Sequence, residues 1–95
     1  MLALRNCSDF LKQNFNIKGN IASTSNWGFS LSLAYFLDSK YFGEEKKQYL
    51  DTEFLSKLKK FDIDHLLHFT KTDTTIDGLN FVTQIDSLYI FKVIK

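Results

Sequence analysis

The sequence has no proline and one cysteine, and its four glycines are scattered along the chain. A single cysteine cannot form a disulfide within the chain, so a disulfide-stabilised scaffold is excluded. The glycines are too far apart for a G-x-G-x-x-G or P-loop motif, which argues against a nucleotide-dependent enzyme. Arginine occurs once, and 12 basic residues face 11 acidic ones, giving a net charge of +1. Because nucleic-acid binding needs a basic surface, we expect no nucleic-acid partner.

Long apolar segments are also missing. The apolar N-terminal stretch ends at Arg5, which is too short for the core of a signal peptide. The longest uncharged run, 19–37, contains seven serine, threonine and asparagine residues, so it does not read as a membrane span. We therefore expect a cytoplasmic protein with no membrane association.

Aromatic residues are abundant instead. The 95 residues include ten phenylalanines, and aromatic residues make up 16% of the chain. This length fits a single domain, 1–95, and the hydrophobic share of 44% disfavours disorder. A chain this short must bury its aromatic side chains efficiently or present them to a partner.

Helical spacing occurs in two segments. Residues 6–15 predict a helix capped by Asn6, with Cys7 as a small buried residue of its apolar stripe. Residues 51–60 predict a second helix capped by Asp51. Its predicted buried stripe comprises Phe54, Leu55, Leu58 and Phe61. Residues 62–69 favour a further short helix over the start of a strand.

Other segments predict strands. Residues 27–37 are apolar at six consecutive odd positions, which indicates a half-buried strand. Turns at 77–78 and 86–87 separate a Thr-rich edge strand, 70–76, from a hairpin over 79–94 whose second strand lies inside the sheet. Residues 40–48 suit a loop, an exposed helical turn or a strand paired with 27–37. The predicted fold is α+β, with an antiparallel sheet of about four strands and two or three helices packed on one face.

The two histidines are the candidate residues for catalysis. His65 and His68 would share one face of a helix, where Asp64 or Asp62 could add a carboxylate. This arrangement would allow proton transfer in a small hydrolase. The pattern is not specific, and we expect neither a metal nor a cofactor.

A different region is the candidate binding surface. Tyr41 and Phe42 lie beside Glu44 and Glu45 in a charged segment. Aromatic side chains are common at interface hot spots, and carboxylates around them would suit a basic partner such as a nuclease or another toxin. The complete predicted partner-binding set is Tyr35, Phe36, Tyr41, Phe42, Glu44, Glu45 and Tyr49.

Three functions are compatible with these features. The favoured one is a non-enzymatic binding protein, such as an immunity protein, antitoxin or phage-type inhibitor, that covers the surface of a partner protein. The second is a toxin-like RNase or other small hydrolase that uses His65 or His68. The third is a structural subunit that forms a homodimer through its aromatic segment 27–37.

Overall fold

The computed structural model describes residues 4–15, 17, 19–44 and 50–94. Within them the chain forms three helices and five strands. In chain order these are α1 (Leu4–Asn14), β1 (Asn20–Ser23), α2 (Trp27–Phe36), β2 (Lys40–Glu44), α3 (Thr52–Lys60), β3 (His65–His68), β4 (Leu79–Ile85) and β5 (Leu88–Val93). The predicted α+β class is confirmed.

The five strands form one mixed sheet in the order β2-β1-β3-β5-β4. β1 pairs in parallel with β2 and β3, whereas β5 pairs antiparallel with β3 and β4. The predicted four-stranded, purely antiparallel sheet is therefore wrong. Sequence patterns missed β1, because four residues with two small polar side chains give little periodicity.

Helices cover both faces of the sheet, so their predicted placement on one face is also wrong. Leu66 and Leu67 are neighbours on β3, and their side chains enter different cores because strand side chains alternate. Core 1 holds Leu67 with residues of α1 and α2, including Leu11 and Leu33. Core 2 holds Leu66 with Phe54 and Leu58 of α3 and with residues of β4 and β5.

Residues 27–36 form helix α2, not the predicted strand. The positions that the helix buries are Ser30, Leu33 and Ala34, followed by Leu37, and this spacing is helical. Two of these four residues are small or polar, while large apolar side chains point outward. Hydrophobicity therefore alternates by coincidence and conceals the helical period.

Residues 65–68 form strand β3, not the predicted helix. All four side chains are buried, because β3 lies in the middle of the sheet with helices on both sides. The Thr-rich segment is also not a strand. A bridge between Ile76 and Leu79 is its only ladder pairing among the described residues, and β4 takes the predicted edge position.

Several local predictions are confirmed. The helices over 6–15 and 51–60 exist, although α1 begins before its predicted cap, Asn6. The carboxylate of Asp51 accepts a hydrogen bond from the Phe54 amide at 2.8 Å, as expected of an N-cap. The 79–94 hairpin and the interior position of β5 are also confirmed. Phe61, predicted to be buried, is 54% exposed.

Candidate functional site

The structure does not bring the predicted partner-binding residues together on one surface. Tyr35 and Phe36 lie on the outer side of α2. Phe42 and Glu44 line a groove beside α3. Tyr41 is partly buried against core 1, where its hydroxyl lies 2.7 Å from Ser23 Oγ. Glu45 and Tyr49 lie outside the described residues.

The outer half of α2 is apolar and solvent-exposed. It comprises Trp27, Gly28, Leu31, Ser32, Tyr35 and Phe36, which we call the α2 outer face. Tyr35 is 80% exposed and Trp27 is 60% exposed. A surface helix ordinarily carries charged residues on its solvent side, whereas α2 contains none. The α2 outer face therefore has the composition of a surface that another molecule covers.

The predicted partner-binding set includes two members of this face, Tyr35 and Phe36, whereas Trp27 and Leu31 were covered only by the homodimer hypothesis for segment 27–37. The signal was present in the uncharged run 19–37, which sequence analysis used only to exclude a membrane span. Once 27–36 is a helix, Trp27, Leu31 and Tyr35 follow one another at intervals of four and form one ridge.

A second candidate surface is a groove of about 460 Å³ between α3 and the β1–β2 part of the sheet. We call it the α3 groove. Among the described residues, α3 shares core 2 with β3, β5 and β4, whereas β1 and β2 contribute to that core only Ala22, which is partly buried. The apolar walls of the groove come from Ala22, Phe42, Phe54, Leu58, Phe61 and Ile63.

A bulge in β2 places Phe42 in this groove. Ile21 pairs with Tyr41 and Ala22 pairs with Gly43, so Phe42 is an extra residue in its strand. A bulge bends the strand and re-aims a side chain, and the next residue, Gly43, has a φ of 121° that glycine adopts without strain. Phe42 remains 44% exposed while lining the groove.

Charged groups lie within and around the α3 groove. Glu44 and Lys57 are among its lining residues. The ammonium of Lys40 lies 5.1 Å from the centre of the Phe42 ring, and that of Lys60 lies 5.8 Å from the Phe61 ring. The groove is thus an apolar space with ammonium groups close to two of its walls.

The candidate catalytic histidines do not share a face. Three residues apart on a strand, their side chains point to opposite sides of the sheet. Both histidines are buried, His65 with 6% of its surface exposed and His68 with none. Asp64 Oδ2 accepts a hydrogen bond of 2.7 Å from the Asn20 amide, which ties the start of β3 to β1. In the described part of the chain, neither imidazole lies on the exposed surface.

His68 forms a buried polar pair with Thr24, which follows β1. His68 Nδ1 lies 2.7 Å from Thr24 Oγ1, and His68 Nε2 is buried with no hydrogen-bond partner among the described residues. Burial lowers the pKa of His68 below its ordinary value, because the charged imidazolium loses its hydration. A neutral imidazole is therefore the form that this environment favours.

Cys7 is not a reactive thiol in this fold. It is buried in core 1, and burial, with a smaller effect of Asp86, raises its pKa to about 11. A thiol with this pKa is almost entirely protonated at neutral pH, so it is a poor nucleophile. The structure confirms the expectation that Cys7 is a small buried residue.

Comparisons with known proteins add no functional assignment. No protein family, curated protein or solved structure matches this chain. Among the described residues, no three potential metal ligands cluster together. None of the described helices is long and apolar enough to cross a membrane.

Proposed function

We propose that this protein is a small non-enzymatic binding protein that acts by covering the surface of a partner protein. The α2 outer face is the surface that we assign to this contact. The observation that carries the proposal is a solvent-exposed helix side that combines tryptophan, leucine, tyrosine and phenylalanine with no charge. Tryptophan and tyrosine are, with arginine, the residue types most enriched among interface hot spots.

The size of this face suits the centre of an interface. Its four large side chains together expose on the order of 450 Å², taking about 200 Å² for a full large side chain. An interface of standard size buries about 800 Å² on each partner. The α2 outer face would then supply the apolar centre, and polar residues around it would supply the rim.

The α2 outer face carries no charge, and this indicates which kind of partner surface can pack against it. A charged group buried against the α2 outer face would lose its hydration without meeting an opposite charge. The matching surface is therefore an apolar, uncharged groove or helix face. This refines the expected basic partner, because Glu44 lies in the α3 groove and not on the α2 outer face.

A second copy of this chain is the second candidate partner. An uncharged face can pack against its own copy without repulsion between like charges. Gly28 lies in the first turn of α2, at one end of the face, and the space where its side chain would stand is open. A side chain from a facing helix could occupy that space.

The test compares two variants that add the same charge at different places. Tyr35→Lys places an ammonium on the α2 outer face, and Asn80→Lys places one on β4, where the native side chain is also exposed. A partner captured from source cells is purified, and its dissociation constant is measured with each variant. We expect at least tenfold weaker binding to Tyr35→Lys and unchanged binding to Asn80→Lys.

Light scattering over a range of concentrations tests the second candidate without any partner. A dimer that Tyr35→Lys dissociates would identify the second copy as the occupant. A purified partner that binds wild type and Tyr35→Lys equally would contradict the assignment of the α2 outer face. Loss of a hydrolytic activity in His68→Gln would instead favour the enzyme hypothesis.

A further inference from the structure

We propose that the α3 groove is a binding site for a small amphipathic carboxylate, with its apolar body between the phenylalanines and its carboxylate at the lysines. This site is separate from the α2 outer face, since α2 and α3 pack into different cores on opposite faces of the sheet. The inference does not depend on the proposed function.

The size and composition of the groove are those of a ligand site. Small-molecule sites are concave, mostly apolar spaces of about 300–1,000 Å³ with a few polar groups that orient the ligand. The α3 groove has a volume of about 460 Å³, and Phe42, Phe54 and Phe61 contribute three aromatic rings to its walls. An aromatic or medium-length aliphatic body would replace water along these walls.

The β2 bulge is a second indication. It aims Phe42 into the groove, and such bulges are common beside binding sites. The groove runs along the parallel strands, because it is lined by Ser23 and Glu44, which end β1 and β2, and also by Phe61 and Ile63, which precede β3.

The charges around the groove select the head group. Lys57 lines it, and Lys40 and Lys60 lie over the rings of Phe42 and Phe61. Glu44 is the acidic side chain among the described lining residues. Among the described residues the lining thus carries one charge of each sign, and the ammonium groups of Lys40 and Lys60 beside the two rings are what favours an anionic head group over a neutral or cationic one. Partial exclusion of water by the apolar walls strengthens that attraction.

Three ligands that share a phenylpropyl body test this inference directly. 3-Phenylpropanoate carries a carboxylate, 3-phenylpropanamide is neutral, and 3-phenylpropylamine carries an ammonium. Each is titrated into the ¹⁵N-labelled protein, and amide chemical shifts report both affinity and location. We expect 3-phenylpropanoate to bind at least fivefold tighter than the other two. Its shifts should fall on β2 and α3, including Gly43 and Leu58.

Surface variants then separate the contribution of the walls from that of the charge. Phe61→Ala removes a wall, and Phe81→Ala is its control because it truncates a partly exposed phenylalanine on β4. Lys57→Gln and Lys60→Gln remove positive charge near the groove, and Lys92→Gln on β5 is their control. Phe61→Ala should weaken all three ligands severalfold, whereas the lysine variants should weaken only 3-phenylpropanoate.

Each alternative result contradicts the inference in a defined way. Equal binding of the three ligands would mean that the groove takes apolar bodies without selecting a carboxylate. Tighter binding of the amine would mean that Glu44 determines the head group. Shift changes confined to α2, or no saturable binding by any ligand, would remove the site itself.

Discussion

At the scale of single residues, His68 combines complete burial with a polar group that lacks a partner among the described residues. Thr24 holds one ring nitrogen, and the tautomer decides which atom of that pair donates. Protonation would place an N–H at both ring nitrogens, and Nε2 would then be a buried, charged donor without an acceptor there. Protonation of His68 at acidic pH should therefore lower the stability of the folded protein.

We predict that the protein loses stability as the pH falls from 7.5 to 5.0. Burial lowers the pKa of His68 in the folded state, so the unfolded chain binds the proton more readily. The free energy of unfolding then rises with pH in this range, and the contribution of His68 is complete above its unfolded pKa of about 6.5. Urea denaturation at the two pH values measures the loss.

Two glutamine variants assign this pH effect. His68→Gln cannot titrate, so its stability should depend less on pH than that of the wild type, even if it is lower throughout. His65→Gln should retain the acid-induced loss that belongs to His68. An identical pH dependence in wild type and His68→Gln would show that other groups are responsible.

At the scale of elements, the sequence predicted best where a local interaction determines the structure. Asp51 caps α3 through a contact three residues along the chain, and the 86–87 turn joins two adjacent strands. α2 was mispredicted because its buried side includes Ser30 and Ala34 while Tyr35 faces solvent. That arrangement depends on what packs on each side of the helix, which the local pattern does not encode.

The candidate sites were also predicted correctly only where the relevant residues are close together in the sequence. Phe42 and Glu44 were predicted as binding residues from their composition, and both line the α3 groove. The opposite wall of the groove comes from α3. This helix lies within the connection from β2 to β3, two parallel strands that have β1 between them, and it packs with β3, β5 and β4. No pattern within 35–49 specifies that contact, so sequence reasoning placed residues of two surfaces in one.

Gly28→Ala tests α2 as a helix and as a binding surface at once. Gly28 has no positive φ, and an added methyl group would meet open space. Alanine should therefore raise the free energy of unfolding, by less than the ~1 kcal/mol typical of helix interiors, because glycine is the poorer helix former and Gly28 lies in the first turn. Chemical denaturation measures this gain. If a facing helix approaches closely at Gly28, the same variant should weaken association with the partner.

The two readouts of Gly28→Ala have separate meanings. Ser32→Ala, one turn further along the α2 outer face, is a control that changes helix propensity with little change in volume. A stabilised Gly28→Ala variant with unchanged partner affinity would place the contact elsewhere on the face. Destabilisation by Gly28→Ala would mean that the residue is not in an open helical position.

At the scale of the whole molecule, β5 joins the two parts of the sheet. It lies between β3 and β4, and its residues alternate between the cores, with Ile90 in core 1 and Phe91 in core 2. In the hydrogen-bonded ladder of the described strands, β5 connects the parallel strands β2, β1 and β3 to β4. A defect in β5 should therefore lower the stability of the entire domain at once.

We predict that Ile90→Ala lowers the free energy of unfolding by about 2–5 kcal/mol, the cost of removing a large buried aliphatic side chain. Ile90→Val should cost about 0.5–1.5 kcal/mol, which keeps the measurement possible if the alanine variant does not fold. Ile94→Ala is the control, since Ile94 is 43% exposed. Transitions monitored by circular dichroism and by Trp27 fluorescence should coincide for the valine variant; separate transitions would show that the two parts unfold independently.

The strand order also has a consequence for synthesis. Val93, which ends β5, follows His68, which ends β3, by 25 residues. At a translation rate of about 5–20 residues per second, β3 leaves the ribosome roughly 1–5 seconds before its neighbour is complete. During that interval the backbone edge of β3 that later pairs with β5 has no strand beside it and is open to pairing with other nascent chains. We therefore expect rare codons within 69–87, which lengthen the interval, to increase aggregation of the newly made protein without changing its sequence.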